Sequence, residues 1–300
     1  MNCLTAPVVV VAGSLHYDIM VDAPDRPRKG ETVAGLAWRP KFGGKGGNQA
    51  VAAAAAGATV RMWGAVGDDD FGRFLKGCLA AAKVDGGWVT VHPDQGSGMS
   101  VAVADSDGDY GAVIVSGANL HPDPASLADA ALWQGAVALI LQNEIPEDAN
   151  VAAARTARSR GAFVVLNAAP FRPMSEAMAP LVDLLIVNAI EAEQGGGGAV
   201  ETLHDAAAAA QRLARRFPRV VVTAGEQGVA GVERGSAPTT LPALPVPLVS
   251  THGAGDTFVG ALVAALARGT AFSNALDAAN RAAAAHVSRP VSAALGDDVS

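Results

Sequence analysis

A carboxylate stands directly behind two glycines in the stretch THGAGDTFVGALVAAL, residues 251–266. Gly253, Ala254 and Gly255 precede Asp256, and apolar residues at helical spacing follow it. The start of a helix exposes unpaired backbone N–H groups, and glycines let an anion approach them. An acid beside such an anion hole suits phosphoryl transfer to an alcohol, because the acid accepts the hydroxyl proton while the N–H groups hold the phosphoryl charge.

Simpler interpretations of this stretch remain open. An acid in the first turn of a helix commonly just complements the helix dipole, although such a cap does not need two flanking glycines. The common nucleotide motifs are absent. A dinucleotide fingerprint needs glycine at position 258, which is Phe258, and a P-loop ending at Gly44 and Lys45 needs glycine where Arg39 stands.

A second glycine cluster, FGGKGGNQAVAAAAAGA, occupies residues 42–58 and opens an Ala-rich helical segment. One interpretation is a tight loop in which Asn48 caps the helix. The alternative is that the glycines let backbone amides close on a polar ligand, since the cluster holds more glycine than a turn requires.

Short apolar runs alternate with Ala-rich segments along most of the chain. The predicted strands are 8–12, 59–65, 137–142, 162–167, 183–187 and 219–223. The predicted helices are 48–56, 69–82, 147–160, 203–216, 256–267 and 273–287. Fully apolar strands separated by helices indicate an α/β fold with a parallel sheet covered on both faces. Residues 17–42 and 98–116 alternate apolar and polar positions instead, which predicts two insertions that form one small sheet beside the main domain.

The amino-acid composition excludes several kinds of partner and cellular location. The 300 residues are half hydrophobic and carry a net charge of −7, with no block of basic residues. Nucleic acid and anionic membranes are therefore poor candidate partners. Cys3 and Cys78 are the only cysteines, so no disulfide framework is expected and the cytoplasm is the predicted compartment. The apolar run at 8–13 is too short to span a membrane and is expected to be a strand rather than a signal peptide.

The two glycine motifs resemble the paired signatures of the ribokinase-like (PfkB) sugar kinases. GGKGGNQA lies near the N-terminus and GAGDTFVGAL near the C-terminus, and the intervening pieces GSLHYDIMV, LQNEIP, VNAIEAE and VTAGEQGV follow in the family's order. The resemblance covers residues 8 to 288 and implies a three-layer α/β/α domain over residues 1–300. Its insertions at 17–42 and 98–116 would form a sheet-like lid over the sugar and the contact surface of a homodimer.

The resemblance also implies roles for individual residues. Asp256 would be the catalytic base, with Gly253, Ala254 and Gly255 as the anion hole for the transferred phosphate. The residues implied to hold the sugar are Asp18, Gly44, Lys45, Asn48 and Glu144. The residues implied to border ATP are Asn188, Thr223, Gly225, Gly228 and Asn280. Asn188 and Glu191 would also organise Mg²⁺ and its waters.

The chain departs from the family pattern at two sites. Many members have an aspartate six residues before the catalytic one, where it helps to hold potassium, whereas this chain has Ser250. The loop after Ser288 lacks the usual glycines, so activation by K⁺ is expected to be weak or absent. In the sugar site, His16 stands where asparagine is common, which puts plain ribose as the acceptor in doubt.

The expected function is transfer of the γ-phosphate of ATP to a primary hydroxyl of a pentose, with O5 of ribose as the first choice. A nucleoside kinase of the same family, for pseudouridine for example, is the alternative. A nicotinamide-dependent oxidoreductase is disfavoured by the missing fingerprint. A non-catalytic sugar-binding protein would not need Asp256 behind an anion hole.

Overall fold

The computed structural model describes residues 6–105 and 110–289. Its strands, numbered in chain order, are β1 (Val8–Ala12), β2 (His16–Asp22), β3 (Ala37–Gly43), β4 (Thr59–Gly67), β5 (Val84–His92), β6 (Met99–Ala104), β7 (Tyr110–Val115), β8 (Ala136–Gln142), β9 (Phe163–Asn167), β10 (Leu184–Asn188), β11 (Arg219–Thr223), β12 (Val229–Glu233) and β13 (Thr239–Leu241). Its α-helices are α1 (Lys45–Ala55), α2 (Asp70–Ala81), α3 (Ala130–Trp133), α4 (Glu147–Ser159), α5 (Ala189–Ala192), α6 (Leu203–Leu213), α7 (Ala254–Ala267) and α8 (Phe272–Val287). Every predicted strand and helix is present, with ends within three residues of the prediction.

The main sheet contains nine strands in the order β13-β12-β11-β10-β9-β8-β1-β4-β5. From β11 to β5 all neighbouring strands are parallel, whereas β12 pairs antiparallel with both β11 and β13. Parallel neighbours need a crossover connection, which here is a helical segment in most cases. The carboxyl ends of the parallel strands therefore meet at one edge of the sheet.

Helices cover the sheet on both faces. On one face, side chains of α1, α2, α7 and α8 form a core with every second residue of the strands. On the other face, α3, α4 and α6 pack against the alternate strand residues. A strand that is buried on both faces consists of consecutive apolar residues. The apolar run VVVVA therefore predicts that β1 lies in the interior of the sheet. The three-layer α/β/α prediction is confirmed.

Local sequence signals place the helix ends. Thr202 and Asp205 form a reciprocal capping box at the start of α6, and this satisfies backbone donors that the helix leaves unpaired. Gly57 and Gly161 follow α1 and α4 with φ of 89° and 80°. Glycine adopts this left-handed conformation without a steric penalty and so ends a helix.

Three strands of the main sheet, β5, β12 and β13, are missing from the sequence prediction. β5 contains the pair Gly86 and Gly87, and β12 contains Gly231. Glycine weakens a strand pattern, yet Gly231 is required here because a Cβ would come within 2.5 Å of Leu276 on α8. The two antiparallel strands therefore pack closely under α8 and extend the sheet beyond its parallel part.

The remaining strands form a separate four-stranded sheet in the order β3-β2-β6-β7. These strands come from the two stretches predicted to be insertions. The ring of Tyr17 on β2 stacks on Phe71 of α2 with ring centroids 4.1 Å apart, and this contact joins one end of the small sheet to the main domain. Large apolar side chains remain exposed on it, including Trp38 at 65% and Val113 at 68%.

Candidate active site

The candidate active site lies at the edge of the main sheet where the parallel strands end. Glu144 follows β8, while Asn188 and Thr223 are the last residues of β10 and β11. The first turns of α1 and α7 reach the same edge, since α1 contacts Glu144 and a side chain of α1 contacts Asp256. Open α/β sheets bind ligands outside the carboxyl ends of their strands. The fold therefore gathers the motif residues where a ligand is expected.

Asp256 is the third residue of α7 and is only 8% exposed. Gln49 Nε2 donates a hydrogen bond to its Oδ1 over 2.9 Å, and Asn48 Nδ2 donates one to its Oδ2 over 3.3 Å. Burial raises the pKa of Asp256, and the charge of Lys45 and the two amides oppose that shift. A buried carboxylate with a raised pKa at a cleft is suited to accept a proton.

The backbone before Asp256 has the form of an anion hole. Gly253 adopts φ of 83°, and no side chain caps the helix that follows. The N–H groups of a first turn have no partner within the helix, although Ala254 N–H donates to the carbonyl of Thr251, before the helix, over 3.2 Å. A Cβ placed on Gly255 would meet no atom within 4 Å, so open space lies in front of this backbone.

Glycines of the cluster at residues 42–58 allow close packing of the backbone. A Cβ on Gly46 would lie 2.6 Å from backbone atoms of Gly13 and Ser14, and one on Gly47 would lie 2.6 Å from the ring of Phe42. The start of α1 can approach β1 and β3 this closely only because these positions carry no side chain.

The same motif has already paired its backbone amides. Lys45 N–H donates to Glu144 Oε2 over 2.8 Å, and Gly47 N–H donates to the carbonyl of Ser14 over 2.9 Å. Gly44, with φ of 84°, is the N-cap residue, so Asn48 does not cap α1 but projects from its first turn. The expectation that this loop closes its amides on a ligand is therefore wrong for Lys45 and Gly47. The site offers the side chain of Asn48 instead.

Polar side chains from the small sheet face the same region. Asp18 is 7% exposed, accepts a hydrogen bond from Ser100 Oγ over 2.5 Å, and has Lys41 as its cross-strand neighbour. Burial raises the pKa of Asp18, while Ser100, His16 and Lys41 oppose the shift. His16 lies two residues earlier on β2, so both side chains are on one face of the sheet. His16 Nε2 is buried without a hydrogen-bond partner among the described residues.

Asn188 and Glu191 form a reciprocal capping box on α5. Glu191 N–H donates to Asn188 Oδ1 over 2.8 Å, and Asn188 N–H donates to Glu191 Oε2 over 2.9 Å. Glu191 is 7% exposed, and burial raises its pKa, while its backbone hydrogen bond and the charge of Lys45 oppose the shift. The charge of Asp256 also acts on Glu191, so the pair lies close to the proposed catalytic carboxylate.

Thr223 is the last residue of β11 and Gly225 lies in the turn that follows, on the side predicted for the nucleotide. Thr223 Oγ1 lies 3.5 Å from the carbonyl of Val187 on the neighbouring strand. Gly225 has φ of 55°, and a Cβ there would meet no atom within 4 Å. Open space therefore borders the backbone at Gly225.

Gly228 and Asn280 have structural partners. Gly228 has φ of 115°, and a Cβ there would lie 2.1 Å from the carbonyl oxygen of Leu241. This backbone contact accounts for the glycine without a ligand. Asn280 Nδ2 donates to the carbonyl of Pro242 over 2.9 Å, which ties α8 to the segment after β13.

The segment before α7 brings Ser250 and His252 beside the anion hole. His252 N–H donates to Ser250 Oγ over 3.3 Å, and His286 Nε2 donates to the carbonyl of His252 over 2.9 Å. His252 as a residue is exposed. The surrounding protein nevertheless desolvates it and, with the charges of Lys41 and Lys45, lowers the pKa of His252 to about 4.

Two residues of this region escape sequence reasoning. Gln49 is wholly buried and contacts Asp256; its signal was a polar residue on the buried face of α1, between Gly46 and Ala53. Lys41 lies opposite Asp18 because the register of β2 and β3 pairs these two positions. Burial lowers the pKa of Lys41, and the charges of Asp18 and Asp256 oppose the shift.

The described residues form no cluster of three or more His, Cys, Asp or Glu side chains that could hold a metal ion. A cation beside Glu191 would therefore take most of its ligands from substrate phosphates and water, as Mg²⁺ commonly does. Within residues 6–105 and 110–289, no helix has the length and apolar character needed to cross a membrane.

Comparisons with known proteins agree with this geometry. The family model described as pfkB family carbohydrate kinase matches residues 7–295. The ribokinase of Bacillus subtilis is 36% identical over 282 residues, which cover 93% of this chain and 92% of that protein. Among solved structures, Arabidopsis thaliana ribokinase complexed with ribose and ATP has a TM-score of 0.88 and 28% identity, covering 97% of this chain and 95% of that one. Ribokinase of Cryptococcus neoformans in complex with ADP has a TM-score of 0.81 and 30% identity, covering 95% and 94%.

Proposed function

The chain belongs to the pfkB family of carbohydrate kinases, and from this membership we propose that it transfers the γ-phosphate of ATP to a primary hydroxyl of a pentose, O5 of ribose. One observation carries the proposal. The buried carboxylate of Asp256 stands at the start of a helix with open space beside Gly255 and with the amide of Asn48 at 3.3 Å. This arrangement offers a base to the acceptor hydroxyl and an anion hole to the phosphoryl group that it attacks.

The acceptor sugar binds between the small sheet and the start of α1. Asp18 and Asn48 offer a carboxylate and an amide to its hydroxyls, and Glu144 keeps its Oε1 for the far side because its Oε2 accepts from Ser14 Oγ and Lys45 N–H. Gly44 and Lys45 shape the floor of this pocket. Buried polar groups of this kind gain partners when a polyol binds.

Asp256 then acts as the general base. Its Oδ2 accepts the proton of the sugar hydroxyl. The hydroxyl oxygen forms a bond to the γ-phosphorus of ATP, and the bond between that phosphorus and the leaving oxygen of ADP breaks. The backbone N–H groups of Gly253 and Gly255 hold the charge that builds on the phosphoryl oxygens, and Ala254 N–H joins them by exchanging its 3.2 Å hydrogen bond to the carbonyl of Thr251 for a phosphoryl oxygen. The positive charge of Lys45 favours the ionised carboxylate of Asp256 and partly opposes the rise in its pKa that burial causes.

Asn188 and Glu191 fit the needs of Mg²⁺. Both offer oxygen ligands, and one carboxylate together with substrate phosphates is a common Mg²⁺ arrangement. Bound there, the ion would neutralise charge on the ATP phosphates. Glu191 retains Oε1 for this purpose, since Oε2 accepts from the backbone of Asn188.

ATP lies along the ends of β11 and α8. Thr223 and Gly225 border its phosphates and ribose, where open space lies beside Gly225. Gly228 and Asn280 fix the walls of this site through Leu241 and Pro242. Asn280 faces the adenine in this proposal.

In this proposal the described residues, 6–105 and 110–289, form one ribokinase-like domain in which the small sheet is a lid. Exposed apolar side chains on that sheet, such as Trp38 and Val113, support a homodimer that forms through the lid, because large exposed apolar patches mark interaction surfaces. Light scattering at micromolar concentration checks the dimer mass. The net charge of −7 argues against nucleic acid and anionic membranes as partners, and the cytoplasm is the proposed compartment.

A nucleoside kinase is the second candidate, and His16 is the observation that favours it. Its buried Nε2 lacks a partner among the described residues, and an imidazole selects different hydrogen-bonding groups from an asparagine. An acceptor whose ribose carries a further group could therefore suit this pocket.

ADP release measured with a panel of acceptors tests the proposal. The panel contains ribose, 2-deoxyribose, arabinose, fructose, adenosine and pseudouridine. The proposal expects the highest kcat/KM with ribose. A nucleoside that exceeds ribose tenfold supports the second candidate, and no acceptor-dependent ADP release with any of them contradicts both.

A further inference from the structure

A line of buried side-chain amides ends at Asp256. Gln142 Nε2 donates to Gln49 Oε1 over 2.8 Å, and Gln49 Nε2 donates to Asp256 Oδ1 over 2.9 Å. Both glutamines are wholly buried, and Gln49 Nε2 also donates to Asn167 Oδ1 over 2.9 Å. We propose that Gln49 is a positioning residue that holds Asp256 ionised and turns its Oδ2 towards the acceptor hydroxyl. Gln142, Gln49 and Asp256 are called the amide chain below.

The direction of the amide chain is fixed by Asp256 and Asn167, since Gln142 Oε1 at the far end is buried without a hydrogen-bond partner among the described residues. A glutamine amide has one oxygen that accepts and one nitrogen that donates. Because Asp256 Oδ1 and Asn167 Oδ1 both accept, Gln49 must turn its NH₂ group towards them and its Oε1 towards Gln142 Nε2. Gln142 Oε1 lies against Gly13, where a Cβ would come within 1.9 Å of it. The glycine at position 13 therefore leaves room for the amide of Gln142.

The second proton of Gln49 Nε2 is also accounted for. Asn167 uses its own Nδ2 to donate to the carbonyl of Ile186 over 3.2 Å, which leaves its Oδ1 to accept from Gln49. Asn167 is the last residue of β9. Gln49 is thus held by two strands of the main sheet, β8 and β9, and cannot turn its amide without leaving buried groups unpaired.

This arrangement makes the two oxygens of Asp256 unequal. Oδ1 accepts a 2.9 Å hydrogen bond from a wholly buried donor, whereas Oδ2 accepts only a 3.3 Å contact from the partly exposed Asn48. A hydrogen bond to the ionised form lowers the cost of burying that charge. Oδ2 is therefore the oxygen that takes the proton, and Asn48 can exchange its weak contact for a sugar hydroxyl. The inference rests on the proposed function of Asp256 as base.

A purely structural role makes a different prediction. Gln49 also joins α1 to the main sheet, so losing it would destabilise the fold even if Asp256 had no chemical role. In that case the loss of stability would not depend on the charge of Asp256. A positioning role ties the effect to ionisation, and pH separates the two roles.

The test compares three variants in two assays. Gln49→Leu should lower kcat tenfold or more and move the acid limb of the kcat–pH profile upward by about one pH unit, because the ionised carboxylate loses a donor. Gln142→Met removes the donor to Gln49 Oε1 and leaves the contacts of Gln49 with Asn167 and Asp256, so it should move the acid limb upward by a smaller amount than Gln49→Leu does. Asn150→Leu is the matched control, because Asn150 is a buried amide that donates only to the backbone carbonyl of Gln142. It should lower stability and leave the pH profile unchanged.

The second assay needs no turnover. The loss of unfolding free energy in Gln49→Leu should grow as pH rises through the pKa of Asp256, and this growth should vanish in an Asp256→Asn background. A wild-type protein without kinase activity would contradict the proposed function. The stability comparison of Gln49→Leu with and without Asp256→Asn would still decide whether Gln49 stabilises the ionised carboxylate. An unshifted acid limb, or a pH-independent loss of stability, would overturn the positioning role. If Gln49→Leu does not fold, the same two readouts on Gln142→Met decide the outcome.

Discussion

The amide nitrogen of Asn48 lies 3.3 Å from a carboxylate oxygen of Asp256, although 208 positions separate the two residues in the chain. Asn48 is in the first turn of α1 and Asp256 in the first turn of α7. The two helices pack closely because Gly260 faces α1, and a Cβ there would lie 2.5 Å from Cβ of Ala52. Helix packing therefore brings the two glycine motifs together at the site.

Gly255→Val should abolish turnover without destabilising the fold. A Cβ at Gly255 meets no atom within 4 Å, so the added side chain occupies only the space proposed for the phosphate. We expect an unchanged melting temperature and a kcat reduced by at least roughly 10²-fold, the scale of losing an oxyanion-hole donor. Gly260→Val is the contrasting variant, since it should unfold the protein. A Gly255→Val enzyme with full kcat would remove this backbone from the site.

Asp18→Ala should weaken binding of the sugar and leave binding of the nucleotide unchanged. Removing this buried carboxylate leaves a sugar hydroxyl unpaired, at a cost of about 1–3 kcal/mol, so the sugar KM should rise roughly tenfold or more. Asp22→Ala is the matched control, because Asp22 lies on the same strand but pairs with Arg39 in the open. Initial rates at varied sugar and ATP give both KM values. An ATP KM that rises as much as the sugar KM would contradict the assignment.

Asp256→Asn should stabilise the protein at neutral pH. Burial raises the pKa of Asp256 from its ordinary 3.8, so the folded state binds the proton more tightly than the unfolded state. Between the two pKa values, stability falls as pH rises, and above the folded pKa the loss is complete. Asparagine does not titrate, so the variant should gain stability above this window and not below it. Denaturant unfolding across pH checks this, and an equal difference at every pH would count against it.

The sequence predicts the strands and helices that carry regular apolar patterns, and it places Asn48 and Asp256 at the starts of helices and Asp18 in an insertion. It does not reveal how the glycines are used. Gly46 and Gly228 lie against backbone atoms, and such contacts depend on which elements meet.

Contacts that depend on how strands and helices pack cannot be predicted from the sequence pattern. Lys41 is opposite Asp18 because of the register between β2 and β3. The alternation of apolar and polar residues along each strand does not determine that register. Gln49 falls in the predicted helix 48–56 next to Asn48, and sequence alone does not show that this polar residue is on the buried face of the helix. Only the packing of α1 against the sheet buries it beside Asp256.

Potassium should have little effect on the rate. Ser250 supplies a neutral hydroxyl where a carboxylate would give full charge, and that hydroxyl already accepts from His252 N–H. The carbonyl of His252 is likewise engaged by His286, and oxygen sites lose cation affinity as charge and free ligands decrease. The part of the loop from position 290 onward lies outside the described residues. A tenfold rise in kcat/KM when potassium replaces tetramethylammonium, worth about 1.4 kcal/mol, would refute this prediction.

The most direct measurement of the central claim is ribose-dependent ADP release by the wild type and by Asp256→Asn, with ATP binding measured on both. The account predicts that kcat falls by roughly 10²–10⁴-fold in the variant, because the base is lost while the anion hole remains. ATP affinity should stay the same, since the proposed nucleotide contacts lie at β11 and α8. A variant that releases ADP at the wild-type rate would show that Asp256 is not the base and contradict the account.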